Sequence, residues 1–324
     1  MSIITNPEAQ ILLTGGTGFF GRSLLRYLIS NRSRPSCKIF VLSRNPVRFL
    51  AQYPEFSGHF SINFLRGDIE KRDSLPWSGH FTHVIHAATD SKSSSGLTPV
   101  MRFRQIVDGT SHLLDLAVAT GARRFLLTSS GGIYGPQPSH LDVIPEDWPG
   151  SPPLTEPSSA YSQGKRAAEH LCSLASHEHG IETVVARCFA FVGSDLPLDE
   201  HFAIGNFIRD ALSFNPITIH GDGTPLRSYL HQRDLAHWLF TLLEHGKAGH
   251  AYNVGSNEAI SILDLAFLVR DILSPQKKVE VLGTSAVGSP RIRYLPDISK
   301  VYRHMNLSVT ISLTDAIKEF CVFK

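Results

Sequence analysis

Four glycines fall within seven positions of the segment Thr14-Gly-Gly-Thr-Gly-Phe-Phe-Gly21. The apolar run Gln10-Ile-Leu-Leu-Thr14 precedes it, and a stretch to Ser30 with Leu24, Leu25, Leu28 and Ile29 at helical spacing follows. A plain strand-to-helix turn needs one or two glycines, not four. Gly15, Gly18 and Gly21 fit G-x-x-G-x-x-G, and Gly16, Gly18 and Gly21 fit G-x-G-x-x-G. Glycine permits the tight turn and lets backbone N–H groups approach a pyrophosphate. The following helix adds the positive end of its dipole. The segment therefore predicts a strand–loop–helix that cradles a dinucleotide, with Gly15, Thr17, Gly18, Phe19, Phe20 and Gly21 at the cofactor.

The chain beyond this loop keeps alternating short apolar runs with longer amphipathic ones. Strands are expected at Lys38–Leu42, Ser61–Leu65, His83–His86 and Arg124–Thr128, with a helix over Pro99–Thr120 ended by Gly121. Such alternation implies parallel β-α-β units, with a doubly wound open sheet as the simplest topology. A proline-rich stretch from Pro136 to Ser159 reads as a surface loop near the mouth of the site. A helix at Ala160–His179 and a strand at Glu182–Phe191 come next. Helices at His201–Phe214, Arg233–His245 and Ser261–Leu273 then alternate with short strands at Ile217–His220 and Ala251–Val254. The expected division is a dinucleotide-binding domain over residues 1–190 and a substrate lobe over 191–324, interleaved with the last strands of the sheet.

Composition excludes several classes. Over 324 residues, 42% are apolar and 19% charged, ordinary for a folded chain. A net charge of +2 with no basic stripe argues against a nucleic-acid partner. No run is apolar enough to span a bilayer, and the N-terminus lacks signal-peptide character, so a cytoplasmic, membrane-free chain is expected. Cys37, Cys172, Cys188 and Cys321 form no C-x-x-C pair and read as free thiols. His177 and His179 are two apart, on different helix faces, so no metal site is expected.

The predicted second strand ends in Val41-Leu-Ser-Arg44 without the carboxylate that bonds ribose hydroxyls in NAD-preferring sites. Ser43 and Arg44 could instead hold a 2′-phosphate, which tilts the expected cofactor, NAD or NADP, toward NADP. Tyr161-Ser-Gln-Gly-Lys165 opens a helix with its phenol and amine one turn apart. A phenol titrates near pH 10 and is a poor base at neutral pH; a neighbouring ammonium is expected to lower that value. Upstream, a strand ending in Leu127-Thr-Ser-Ser130 brings hydroxyls to the carboxyl edge of the sheet.

With these residues in place, the sequence resembles the extended short-chain dehydrogenase/reductase family of NAD(P)-dependent nucleotide-sugar epimerases, dehydratases and ketoreductases, over nearly its whole length. The resemblance implies a Rossmann-type α/β fold with a smaller mixed α/β lobe, and a catalytic set of Ser130, Tyr161 and Lys165. Gly67-Asp68-Ile69 looks like the family's adenine-contacting motif and His86-Ala87-Ala88 like its cofactor floor. Arg227, in Gly221-Asp-Gly-Thr-Pro-Leu-Arg-Ser-Tyr-Leu230, corresponds to the arginine that binds a substrate diphosphate. Asn206 and Arg293 join Ser130 and Arg227 in the expected substrate-binding set. Ile106 and Ala190 stand where relatives carry asparagine, and Tyr252-Asn-Val-Gly255 is a further family-like segment. A homodimer through Pro99–Thr120 and Ala160–His179 is also implied.

The expected chemistry is reversible hydride transfer at carbon-4 of a nucleotide-linked sugar, with Tyr161 accepting the hydroxyl proton and Ser130 bonding the reacting oxygen. A 4-epimerase or a 4-ketoreductase fits equally. The 4,6-dehydratases of the family carry an Asp-Glu pair where this chain has Gly131 and Gly132, which ranks dehydration third. A non-catalytic nucleotide-sensing or RNA-associated protein on the same fold is the alternative from another class.

Overall fold

The structure, a computed structural model, describes residues 2–30, 35–89, 96–200, 202–284 and 292–323. Its first half is a run of β-α-β units. β1 (Gln10–Thr14) leads into α1 (Phe19–Ser30), β2 (Lys38–Ser43), α2 (Pro46–Gln52), β3 (Ile62–Arg66), β4 (His83–His86), α3 (Pro99–Ala119), β5 (Arg124–Ser130), α4 (Ala160–His179) and β6 (Glu182–Cys188). With β11 (His250–Val254), six of these form a seven-stranded sheet in the order β11-β6-β5-β4-β1-β2-β3, paired in parallel throughout. The order reverses between β1 and β4. Ligands bind at such a point, outside the carboxyl ends of the strands. The predicted Rossmann-type sheet is thus present.

The central strands are buried on both faces, as parallel strands covered by helices must be: Ile11, Leu12, Leu13, Ile85, Phe125, Leu126 and Leu127 are all 0% exposed. α3 begins where the Thr98 side chain accepts from the Met101 N–H and ends before Gly121, whose φ of +76° suits glycine. α4 ends in the same way at Gly180, φ +69°.

β6 is shorter than the sequence suggests. The expected strand to Phe191 leaves the sheet after Cys188 and resumes as β7 (Phe191–Val192), which pairs with β10 (Leu230–His231). The break turns Phe189 and Ala190 toward the site.

The remainder builds the lobe above the carboxyl edge. It comprises α5 (Ala203–Leu212), β8 (Ile217–Ile219), β9 (Leu226–Arg227), β12 (Ile260–Ser261), α7 (Ile262–Leu273), β13 (Val279–Val281), β14 (Arg293–Tyr294) and α9 (Leu313–Lys318), while α8 (Ser299–Met305) packs against β11 with Val301 in the core of the main sheet. A separate apolar core including Ile204, Phe207, Ile208, Leu265, Val269 and Ile317 holds α5, α7 and α9 together. α6 (Gln232–His245), although late in the chain, packs on α1 in the sheet layer through buried Trp238, Leu239 and Leu242. β9 is the central strand of the lobe's small sheet, antiparallel to β12 and parallel to β14, with Tyr294 opposite Arg227. The proline-rich segment is tied down by an Ile144–Pro296 bridge and by Arg293, whose guanidinium donates to the carbonyls of Ser139 and Leu141 and to Asp142 at 2.7 Å.

Candidate active site

Sheet and lobe enclose a cleft of about 1700 Å³ at the carboxyl edge, larger than the roughly 300–1,000 Å³ that suffices for one drug-sized ligand. Gly15, Thr17, Gly18, Phe19 and Phe20 line one end, with Ser43, Arg44, Asp68, Ile69, Ala87 and Ala88 beside them. Ser130, Tyr161 and Lys165 line the same cleft, together with Arg227, Tyr229 and Tyr294 of the lobe.

The glycines divide between contact and packing. Gly15 has φ +71°, and a Cβ there would run into the Ala87 carbonyl. A Cβ on Gly16 would strike Val41, and one on Gly21 the backbone of Gly16. Gly21, expected at the cofactor, therefore serves the close fit of α1 against the loop. The cradle that only glycine permits, opening onto the start of α1, fits a dinucleotide pyrophosphate. Beyond the glycine loop, Ser43 is buried and both Arg44 and Arg48 are exposed along the cleft. Asp68 accepts from the Glu70 N–H at 3.1 Å, and its own N–H donates to Ser74 at 2.9 Å, fixing the turn after β3.

His86 does not face the cleft. Its ring bonds Thr14 Oγ1 at 2.8 Å and Thr110 Oγ1 at 3.2 Å, joining β1, β4 and α3. Burial holds its pKa down at about 3, so it is a neutral core histidine. The floor is made by Ala87, Ala88 and Thr89 after it. Asn206 and Arg293 are also absent from the cleft wall. The Asn206 amide oxygen accepts from Arg209 one turn on, at 3.2 Å, and Arg293 is committed to the proline-rich loop.

The three catalytic candidates do come together. Ser130 ends β5, and its hydroxyl accepts the Gly132 N–H at 3.0 Å. Lys165 is 2% exposed and donates to Thr89 Oγ1 at 2.7 Å and to the Thr128 carbonyl at 2.8 Å. Its Nζ lies 6.0 Å from the centre of the Tyr161 ring. Burial lowers its pKa to about 8, against the opposing pull of Cys188, Glu169 and Cys172, so the ammonium persists at neutral pH. Tyr161 behaves differently from expectation: burial pushes its phenol up to about 12, with Cys188 adding to the rise and Ser130 and Arg102 opposing it. The reason is geometric. The ammonium spends its protons on Thr89 and Thr128, and desolvation of the phenolate outweighs the charges nearby.

Behind the site, Arg187 spans Glu169 at 2.8 Å, the Tyr134 hydroxyl at 2.8 Å and the Glu146 carbonyl at 2.7 Å. Tyr134 in turn donates to Asn253 at 2.8 Å. This network ties β5, β6, α4 and β11 into one rigid wall. The sequence reading missed Thr89, Phe189 and Tyr294. The Tyr294 ring packs against Phe189 with centres 4.6 Å apart and planes tilted by 35°, and the Arg227 guanidinium lies over its face at 5.8 Å. A tyrosine one position beyond the named Arg293 was the only local signal. Among the described residues no cluster of three or more histidine, cysteine or acidic side chains could hold a metal, and no helix is long and apolar enough to cross a membrane.

Residues 11–255 match the model of the NAD dependent epimerase/dehydratase family. UDP-glucuronic acid decarboxylase 1 of Arabidopsis thaliana is 30% identical over 97% of this chain and 69% of its own length. The fold is shared with UDP-glucose 4-epimerase of Thermotoga maritima, solved with UDP-glucose (TM-score 0.82, 22% identity, 97% and 98% of the two chains). It is shared also with RMD of Pseudomonas aeruginosa complexed with NADPH (TM-score 0.78, 24% identity, 97% and 98%).

Proposed function

The chain belongs to the NAD dependent epimerase/dehydratase family, and from that premise we propose that it transfers hydride at carbon-4 of a nucleotide-linked sugar, either oxidising and re-reducing it as a 4-epimerase or reducing a 4-ketone as a 4-ketoreductase. The carrying observation is that Ser130, Tyr161 and Lys165 line the same cleft as the glycine cradle and Arg227. Such a cleft suits two ligands meeting end to end at the phenol. Gly15, Thr17 and Gly18 would hold the pyrophosphate, Ser43 and Arg44 the adenosine ribose, and Lys165 the nicotinamide ribose. When bound, the nicotinamide supplies the hydride acceptor and donor.

The protein's own part is proton movement and orientation. Tyr161 takes the proton of the C4 hydroxyl and gives it back, and Ser130 donates to the reacting oxygen. Arg227 places the diphosphate by charge-assisted hydrogen bonds. The cationic Ser43–Arg44–Arg48 corner supports NADP over NAD. Elimination finds no acid or base at Gly131 or Gly132.

The relative's name adds one outcome of the same chemistry. A sugar with a carboxylate at C5 becomes a β-keto acid on C4 oxidation and can lose carbon dioxide without a further protein base. The test is incubation with UDP-, dTDP-, CDP- and GDP-sugars, UDP-glucuronate among them, with and without NADPH. Mass spectrometry and NMR separate epimer, reduced sugar, dehydrated sugar and pentose. No conversion of any would overturn the reading. A homodimer through α3 and α4, which expose Met101, Phe103 and Leu174, goes with it and is read by light scattering.

A further inference from the structure

The chain that leaves β7 for the lobe is fastened to the start of α1. Phe191 meets the Phe20 ring edge-on, with centres 5.1 Å apart. Four residues on, the Asp195 side chain is 4% exposed, and each carboxylate oxygen takes its own arginine. Oδ1 accepts from the Arg22 Nε at 3.1 Å and Oδ2 from the Arg26 Nε at 2.8 Å. The two arginines stand one turn apart on α1. The Arg22 guanidinium also donates to the Asp195 carbonyl and, at 3.0 Å, to the carbonyl of Thr17 in the glycine loop. It lies over the Tyr53 ring, 5.0 Å from its centre. From the other side the Asp195 N–H donates to the Gln232 side chain at 3.0 Å, and a Cβ on Gly193 would run into that glutamine. Val192 and Leu196 flank this stretch and belong to the lobe's apolar core. Thr17, Arg22, Ser194 and Asp195 all line the cleft.

Nothing in the proposed chemistry accounts for a buried carboxylate in the wall of this cleft. By charge alone it would repel a pyrophosphate in the glycine cradle. Arg26 also pairs with Glu55 at 3.0 Å, so two cations face two anions and the cluster offers the pyrophosphate little net charge. What the cluster supplies is geometry. The planar fork of a guanidinium can hold a carboxylate and a carbonyl at once, which an ammonium cannot match. Arg22 uses that fork to join the glycine loop to the chain entering the lobe. We propose that Asp195 is a positioning residue for the dinucleotide. Through Arg22 it fixes the Thr17 carbonyl of the cradle and straps the entry to the lobe against the loop, so that a bound dinucleotide leaves slowly. The inference rests on the reading of residues 15–21 as the pyrophosphate cradle. Breaking a buried, hydrogen-bonded charge pair acts mainly on dissociation and not on association.

The experiment loads the protein with NADPH or NADH, whichever the parent binds more tightly, and follows release by nucleotide fluorescence after mixing with excess oxidised dinucleotide. Asp195→Asn should speed release by about tenfold or more, with the association rate held within about threefold. Arg22→Lys keeps the charge but cannot span carboxylate and carbonyl, so it should release as fast as Asp195→Asn. It carries the test alone if Asp195→Asn does not fold. The double variant should release no faster than either single one, because both break the same link. Glu55→Gln removes the same charge from the cluster but pairs only with Arg26, and should change release by less than about twofold. Unchanged release in the folded variants overturns the proposal, as do effects of the two substitutions that add. Tighter binding by Asp195→Asn overturns it too, since that is what merely deleting an anion near the cradle would give. A parent that binds neither dinucleotide would end the cradle reading together with the strap. A parent that binds normally beside variants that release no faster would end the strap alone.

Discussion

The hydroxyl of Tyr294 stands 2.7 Å from the point where a Cβ on Gly131 would lie, so the two positions compete for one volume across 163 residues of sequence. Phe189 closes the same space at 2.7 Å. Gly131→Ala is therefore expected to cost about 1–3 kcal/mol of stability, the range for overpacking a filled site. Pairing it with Tyr294→Phe should recover part of the loss and not all, because Phe189 remains. Thermal or urea unfolding of the two variants checks this, and a fully tolerated alanine in the parent would contradict the packing.

Tyr161→Phe should lower kcat by about 10²-fold or more while dinucleotide affinity changes little, since only the exchangeable proton is lost. Turnover and dinucleotide titration, measured on the same preparation, separate the two. Loss of dinucleotide binding with no specific loss of kcat would place Tyr161 outside the chemistry.

Arg44 is exposed along the cleft, next to buried Ser43. Arg44→Asp should weaken NADP relative to NAD by about tenfold or more, through loss of one charge-assisted pair and gain of a repulsive one. The ratio of the two dissociation constants reads it directly, and an unchanged ratio would remove the case for NADP.

Arg227→Ala should raise KM for a nucleotide sugar by about tenfold or more, with dinucleotide affinity unaffected. An effect confined to the dinucleotide would reassign the residue.

His86 is buried and neutral, its pKa held at about 3, and burial with Arg123 and Arg124 nearby lowers His83 to about 4. In the unfolded chain both titrate near 6.5. Acid therefore protonates the unfolded state first. The stability these rings contribute is complete above pH 6.5 and is lost as pH falls toward 3–4, at a limiting slope of about 1.4 kcal/mol per pH unit for each ring. Urea midpoints between pH 7 and 4 should fall accordingly, and more shallowly in His86→Gln. A slope identical in parent and variant would show that the ring is not held neutral.

Much of the site's machinery was legible because it is local. The glycine loop, the Ser130 strand end and the Tyr161–Lys165 turn are short segments whose chemistry and secondary structure coincide. Asn206 and Arg293 misled for the converse reason: each has a suitable side chain at a plausible place, but orientation sends one to Arg209 and the other to Asp142. His86 sits in a family-like motif whose backbone, and not whose ring, reaches the floor.

The sequence by itself determined the order of β-α-β units, the cradle at residues 15–21 and the pairing of a phenol with an amine one turn away, since each follows from periodicity or from steric rules acting over a few residues. Tertiary structure decided what those groups experience. The break after Cys188, the β9–β14 pairing and the burial of α4 together pushed the Tyr161 phenol up to about 12, turned the Lys165 ammonium to Thr89 and Thr128, and brought Tyr294 against Phe189 and Gly131. Desolvation and hydrogen-bond direction depend on neighbours tens of residues distant along the chain, and no local pattern encodes them.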